Sequence, residues 1–259
     1  MGKLDGKVVL ITGCSTGLGK QQAIRLAEEG ASLAICARNE EKLHVTKEIC
    51  EERGAEVLAM QVDIMDYDRL VAFVEATAET FGRIDVLVNN AHTITVPAPF
   101  LDKTIEDLDL EMRSSVYAYW HLMQLCFPHM REREGAGTSI INFASEAGVM
   151  GDSLYAPYAA SKEAVRGLSR VVAREWGQYN IRVNTLCPNG MTDSISGGID
   201  WMPKETREHI EHMFVNNPFG RVGDPYVDVA PVTVFLASDD SRWITGQNIH
   251  ADGGSLINA

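Results

Sequence analysis

The sequence predicts an α/β fold, a doubly wound parallel sheet with helices on both faces. Three observations predict it. Short apolar runs alternate with helical stretches of ten residues or more, the pattern of βαβ units. The runs are apolar throughout rather than at every second residue, as strands covered on both faces are. A glycine-rich loop joins the first run to the first helix.

Each element follows in order. Residues 8–12, Val-Val-Leu-Ile-Thr, form the first strand and end in glycines. Residues 16–29 carry Leu18, Gln22, Ile24 and Leu26 at helical spacing and stop at Gly30. Residues 32–36 are a second strand, 40–53 a charged helix closed by Gly54, and 56–62 a third strand. Residues 67–81 read as helix ended by Gly82, and 86–89 as strand. A long helix is predicted over 105–130, a strand over 139–143, a helix over 156–179 and a strand over 182–186. Residues 228–237 read as helix and 247–251 as a last short strand. Only 189–219 breaks the rhythm. It holds Gly197-Gly198, Pro203 and Pro218 around a short helix predicted over 205–214. Its Ile195, Ile199, Trp201, Met202, Met213 and Phe214 mark it as a substrate lid rather than a linker.

The whole chain, 1–259, reads as one domain, and at this length it needs no disulfide or metal staple. Lysine and arginine number 23 against 36 aspartates and glutamates, a net charge of −13. That field repels polyanions and anionic lipid, so neither nucleic acid nor a membrane is an expected partner. No apolar run reaches the length of a membrane span, and residues 1–7 do not read as a signal peptide. Five cysteines, Cys14, Cys36, Cys50, Cys126 and Cys187, form no Cys-x-x-Cys pair. They read as buried free thiols in a reducing cytoplasm.

Thr12-Gly13-Cys14-Ser15-Thr16-Gly17-Leu18-Gly19 sits between a strand and a helix. Glycines there let the backbone approach a pyrophosphate, and the helix N-terminus offers N–H groups and a positive dipole end. The second strand ends Cys36-Ala37-Arg38-Asn39, with no acid between Gly30 and Glu40. An acid would suit the ribose hydroxyls of NAD, whereas arginine suits a 2′-phosphate, so NADP(H) is the expected cofactor.

Tyr158 and Lys162 stand at i, i+4 on one helix face. An adjacent cation lowers the pKa of a phenol toward the range an acid/base needs. Ser145 follows the strand over 139–143 and is placed to hold a reacting oxygen; no G-x-S-x-G elbow makes it a hydrolase nucleophile. His209 and His212 share a helical face but have no third ligand, so no metal is expected. Cys14 lacks a base partner and is not read as a catalytic thiol.

Together these residues resemble a short-chain dehydrogenase/reductase over essentially the whole chain. The resemblance rests on Thr12-Gly13, Gly17, Gly19, Asp63, Asn89-Asn90-Ala91, Ser145, Tyr158, Lys162, Ile181-Arg182-Val183-Asn184, Pro188 and Asp252-Gly253-Gly254. It implies a Rossmann-type sheet of about seven strands and hydride transfer between nicotinamide and a carbonyl or secondary alcohol. It casts Tyr158 as acid/base, Lys162 as its partner and ribose ligand, and Ser145 as holder of the substrate oxygen. The implied cofactor site comprises Gly13, Ser15, Thr16, Gly17, Leu18, Gly19, Arg38, Asp63, Ile64, Asn89, Ala91, Tyr158, Lys162, Pro188, Met191 and Thr192. The implied substrate side comprises His92, Ser145, Tyr158, Asn189, Trp201 and Met202. A homotetramer is the family expectation.

Three positions depart from the family pattern. His92 follows Asn-Asn-Ala where glycine is usual, Ser115 stands at the place of a helix-kinking asparagine that completes a catalytic tetrad, and Asn189 replaces the glycine after Pro188. These departures, with Ile-Asn-Phe-Ala-Ser and Phe-Gly-Arg-Val-Gly-Asp-Pro, are similar to a bacterial subgroup containing NADP-dependent 12α-hydroxysteroid dehydrogenases. That likeness implies an apolar or amphipathic substrate of the steroid or bile-acid class. A ketoreductase for other carbonyls is the alternative, and a dinucleotide-binding sensor without turnover is a third reading.

Overall fold

The computed structural model describes residues 2–131, 137–190, 192 and 204–257. Seven strands lie in one parallel sheet of order β3-β2-β1-β4-β5-β6-β7: β1 Val8–Thr12, β2 Ser32–Ala37, β3 Val57–Gln61, β4 Val86–Asn89, β5 Thr138–Phe143, β6 Ile181–Pro188 and β7 Asn248–Ala251. The strand order reverses between β1 and β4, so their C-terminal ends open a crevice, the usual ligand position in such sheets.

Alternate strand residues feed two cores. Val9, Ile11, Leu33 and Ile35 pack with α1 (Gly17–Glu28), α2 (Glu40–Glu52) and, near the C-terminus, the helix Ala230–Ala237. Leu10, Ala34, Cys36 and Leu87 face α3 (Tyr67–Phe81) and the long helices that follow. All five cysteines are free and buried, Cys14 and Cys50 in the first core, Cys36 and Cys126 in the second. No helix among the described residues is long and apolar enough to cross a membrane.

The helix predicted over 105–130 is interrupted. It runs as α4 (Ile105–Met112), a π-helical turn Arg113–Tyr117, and α5 (Ala118–Arg131). Ser115 lies in that turn, and its hydroxyl donates to the Glu111 carbonyl at 2.8 Å. Such back-bonding bends a helix, and π turns favour functional sites. A short α6 (Glu146–Met150), not anticipated from periodicity, follows β5 and is capped by Ser145. Then come α7 (Ala156–Trp176), α8 (Lys204–Val215), a second π turn Pro225–Val229 and α9 (Ala230–Ala237). The helix expected in the lid is thus α8. Met191, Ile195, Ile199, Trp201 and Met202 lie outside the described residues, as do the side chains of His209 and Met213.

At the N-terminal edge of the sheet, Asp85 ties strands together. Its side chain is 2% exposed. It accepts from the Val8 amide at 2.8 Å and from Arg83 Nε and Nη2 at 2.7 and 2.6 Å. Breaking a buried, multiply bonded ion pair by removing one partner costs several kcal/mol. Asp85→Ala should therefore lose about 3 kcal/mol of stability in urea unfolding; a change within about 0.5 kcal/mol would show that the pair holds nothing.

Candidate active site

A cleft of about 490 Å³ opens at the β1/β4 crevice. It gathers Gly13, Ser15, Thr16, Gly17, Leu18 and Gly19 from the first loop, Arg38 from the end of β2, and Asp63 and Ile64 from beyond β3. Ala91 and His92 follow β4, Tyr158 and Lys162 come from α7, and Pro188 and Thr192 close the far side. Residues distant in sequence therefore share one wall.

The loop has the shape a diphosphate requires. Gly13 has φ +79°, and a Cβ on Gly19 would run into the Gly13 carbonyl and the Asn90 amide. No acid stands in the first turn of α1, so its positive end is not compensated there. Thr12 Oγ1 accepts from the Asn90 and Ala91 amides at 3.2 and 3.0 Å, and Asn90 Nδ2 donates to the Thr12 carbonyl at 2.8 Å. This clamp was not singled out from the sequence, although Asn90 stands in the recognised motif. The residues present fit a dinucleotide: backbone donors for phosphate, Asp63 beside the loop, and Arg38 and Asn39 at the end of β2.

At the other end of the cleft, Lys162 is buried and donates from Nζ to the Phe143 carbonyl at 2.9 Å. Its nitrogen lies 5.6 Å from the Tyr158 ring centroid. Desolvation lowers the Lys162 pKa to about 8, with Glu111 opposing the fall. Tyr158 is partly exposed at the cleft wall, but its phenol is hemmed in by protein, and burial pushes it up to about 12. The hydrogen bond with Ser145 works the other way. A neighbouring ammonium is expected to lower this pKa; burial raises it instead, so the phenol stands as a proton donor.

Some expected site residues sit behind the wall. Asn89 is fully buried and donates to Asn142 Oδ1 at 2.8 Å. Asn189 borders a second cavity and donates to Glu146 Oε1 at 2.8 Å. Ser115 is fully buried in its π turn. Periodicity also missed Glu111, a fully buried acid whose Oε2 lies 2.7 Å from His92 Nε2. Among the described residues no group of three side chains is placed to hold a metal.

The family model described as enoyl-(acyl carrier protein) reductase matches residues 13–255. The 12α-hydroxysteroid dehydrogenase of a Clostridium species is 39% identical over 98% of each chain. The 3-oxoacyl-(acyl-carrier-protein) reductase of Thermotoga maritima is 35% identical over 98% of this chain and all of that one. The chain belongs to the short-chain dehydrogenase/reductase family. A short-chain dehydrogenase from Mycobacterium paratuberculosis, solved bound to NAD, superposes with a TM-score of 0.86 at 33% identity, covering 98% and 99% of the two chains. As a family member the chain is an oxidoreductase that takes a nicotinamide dinucleotide.

In this short-chain dehydrogenase/reductase the residue after Ser145 is also perturbed. Burial, then the charges of Asp252 and Asp152, push the Glu146 carboxyl up to about 7. An acid raised on folding binds more protons folded than unfolded between its two pKa values. Its contribution to stability is therefore full below about 4.5 and lost as pH rises through about 7. Glu146→Gln should gain in Tm over the parent as pH goes from 5 to 8; a Tm difference that stays flat with pH would refute this assignment.

Proposed function

We propose that the protein is an NADP(H)-dependent dehydrogenase that interconverts a secondary alcohol and a ketone, with a hydroxysteroid of the bile-acid type, oxidised at the 12α position, as substrate. The observation that carries the chemistry is the meeting of Tyr158, Lys162 and Ser145 at one end of the dinucleotide cleft. The full-length likeness to a 12α-hydroxysteroid dehydrogenase supports the steroid. The equally long likeness to an acyl-carrier-protein reductase is the reason to test other ketones beside it.

The bound nicotinamide supplies or takes the hydride. The chain's own residues handle the proton. In reduction Tyr158, protonated at neutral pH, gives its hydrogen to the developing alkoxide, while Ser145 holds that oxygen and the Lys162 ammonium stabilises the phenolate left behind. Gly13, Ser15, Thr16, Gly17, Leu18 and Gly19 would hold the diphosphate, Asp63 and Ile64 the adenine, and Ala91, Pro188, Met191 and Thr192 the nicotinamide end, with Asn89 bracing the wall from beneath. Arg38 would take the 2′-phosphate. His92, Asn189, Trp201 and Met202 belong to the substrate side, and residues 189–219 to the lid.

Five buried free thiols support a reducing, cytoplasmic setting. Leu101, Ile105, Tyr117 and Trp120, all exposed along the 101–120 stretch, support a homotetramer.

Initial rates on 3-, 7- and 12-oxo bile acids and simple ketones, with NADPH and NADH, decide the substrate; a 12-oxo preference supports the reading, and activity confined to other ketones overturns it. Loss of a charge-assisted phosphate contact costs about 1.5–3 kcal/mol. Arg38→Asp should weaken NADPH use at least tenfold and improve NADH relative to it; an unchanged cofactor ratio would remove Arg38 from the site. Tyr158→Phe should bind NADPH normally yet lose about 10²–10⁴ in turnover, and near-parental rates would point to another acid.

A further inference from the structure

The reaction above gives Glu111 no part and His92 only a place on the substrate side. Glu111 is fully buried, and a buried charge persists only when firmly paired. Its Oε1 accepts from the Thr95 amide at 2.7 Å and from the Thr95 hydroxyl at 2.9 Å. Lys103 Nζ in turn donates to Thr95 Oγ1 at 2.7 Å. The other oxygen, Oε2, lies 2.7 Å from His92 Nε2, within ion-pair reach though not aligned as a hydrogen bond. A carboxylate there favours hydrogen on Nε2 and leaves Nδ1 with its lone pair. Nδ1 is buried and has no hydrogen-bond partner. The imidazole ring lies 5.2 Å from the Tyr158 ring, centroid to centroid, and both line the cleft.

We propose that Glu111 and His92 form a carboxylate–imidazole dyad that accepts the phenolic proton of Tyr158 when the protein oxidises an alcohol. The inference rests on Tyr158 being the acid/base. The alcohol O–H proton passes to the Tyr158 oxygen as the phenolic hydrogen passes to His92 Nδ1. The alcohol's C–H leaves as hydride to the nicotinamide, and a C=O bond forms. The imidazolium, paired with the Glu111 carboxylate, then returns one proton to water in the cleft. Reduction runs the same path backwards. His92 takes the phenolic proton itself, whereas Glu111 acts through His92 and is a positioning residue.

Three groups face the His92 ring: Glu111 from α4, and Tyr158 and Lys162 from α7. Burial first, and then the Lys162 charge, lower the His92 pKa to about 4 against the pull of Glu111. The imidazole is therefore neutral at physiological pH and stands as an acceptor. The arrangement also gives the Ser115 substitution a context. The Glu111 carbonyl accepts from Ser115, so the residue that anchors His92 also anchors the π turn.

The test compares His92→Ala and Glu111→Gln with the parent in alcohol oxidation from pH 6 to 10, using an alcohol the parent turns over. Both variants should lose about tenfold or more in kcat at pH 7, with KM little changed. The deficit should narrow as pH rises and hydroxide takes the proton. Added imidazole should restore His92→Ala. An NMR titration of His92, independent of turnover, should show a lower pKa in Glu111→Gln than in the parent. Two results overturn the dyad: parental kcat in both variants, or a loss uniform across pH that imidazole does not relieve. If Glu111→Gln fails to fold, Thr95→Val, which removes one anchoring hydroxyl and keeps the amide, should show the same pH-dependent loss in milder form; a flat pH response there also counts against the dyad. A parent that oxidises no alcohol and reduces no ketone overturns instead the function on which the dyad rests.

Discussion

The clamp between the ends of β1 and β4 is the constraint on which the site depends. Beyond the Ile11–Val88 pair β1 and β4 no longer bond to each other, and the amides that follow β4 need other acceptors. Thr12 supplies one from its hydroxyl to two successive amides, and Asn90 returns a donor to the Thr12 carbonyl. Asn90 also crowds Gly13 and Gly19, and with Ala91 beside the one and the Gly13 carbonyl beside the other it leaves neither position room for a side chain. The turn that aims the start of α1 into the cleft and the segment that carries Ala91 and His92 are thus fixed by one set of contacts. The phosphate end and the chemical end of the cleft are held in register by it.

Desolvation rules the chemical end. Lys162 loses proton affinity, Tyr158 gains it, and His92 is held neutral, all chiefly because protein replaces water around them. Specific partners modulate these shifts: Ser145 eases the burden on Tyr158, and Glu111 steadies both Lys162 and His92. A single buried acid on α4 thereby influences one group beside it, His92, and one on α7, Lys162. The π turn just after it accounts for how a helix crossing the site can offer both a side chain and a carbonyl for this purpose.

Much of the architecture was legible in the sequence because it rests on local rules. The helix over 67–81 and the strand over 86–89 match the structure to the residue, since Asp66 caps the one and Gly82, at φ +69°, ends it. The glycine loop, Arg38, Tyr158 and Lys162 were legible from spacing read together with the strand and helix around each, and the structure brings them into one cleft. What stayed hidden depends on three-dimensional neighbours. Residues 105–130 have continuous helical periodicity, and nothing in that pattern marks the extra residue of a π turn. Glu111 and His92 are nineteen residues apart and meet only through the fold. The direction of the Tyr158 shift was misjudged for the same reason, because spacing reveals the cation but not the depth of burial.

The placement of the thiols has a practical corollary. Burial raises the pKa of Cys36, Cys50 and Cys187 to about 12, and Cys14 and Cys126 are raised as well. Thiolate is the reactive form, so the folded protein is inert to alkylating reagents while any opened segment is not. Two thiols lie on each side of the sheet. The native chain therefore carries a built-in footprinting probe, in which maleimide uptake, mapped by peptide mass, times the opening of each layer separately.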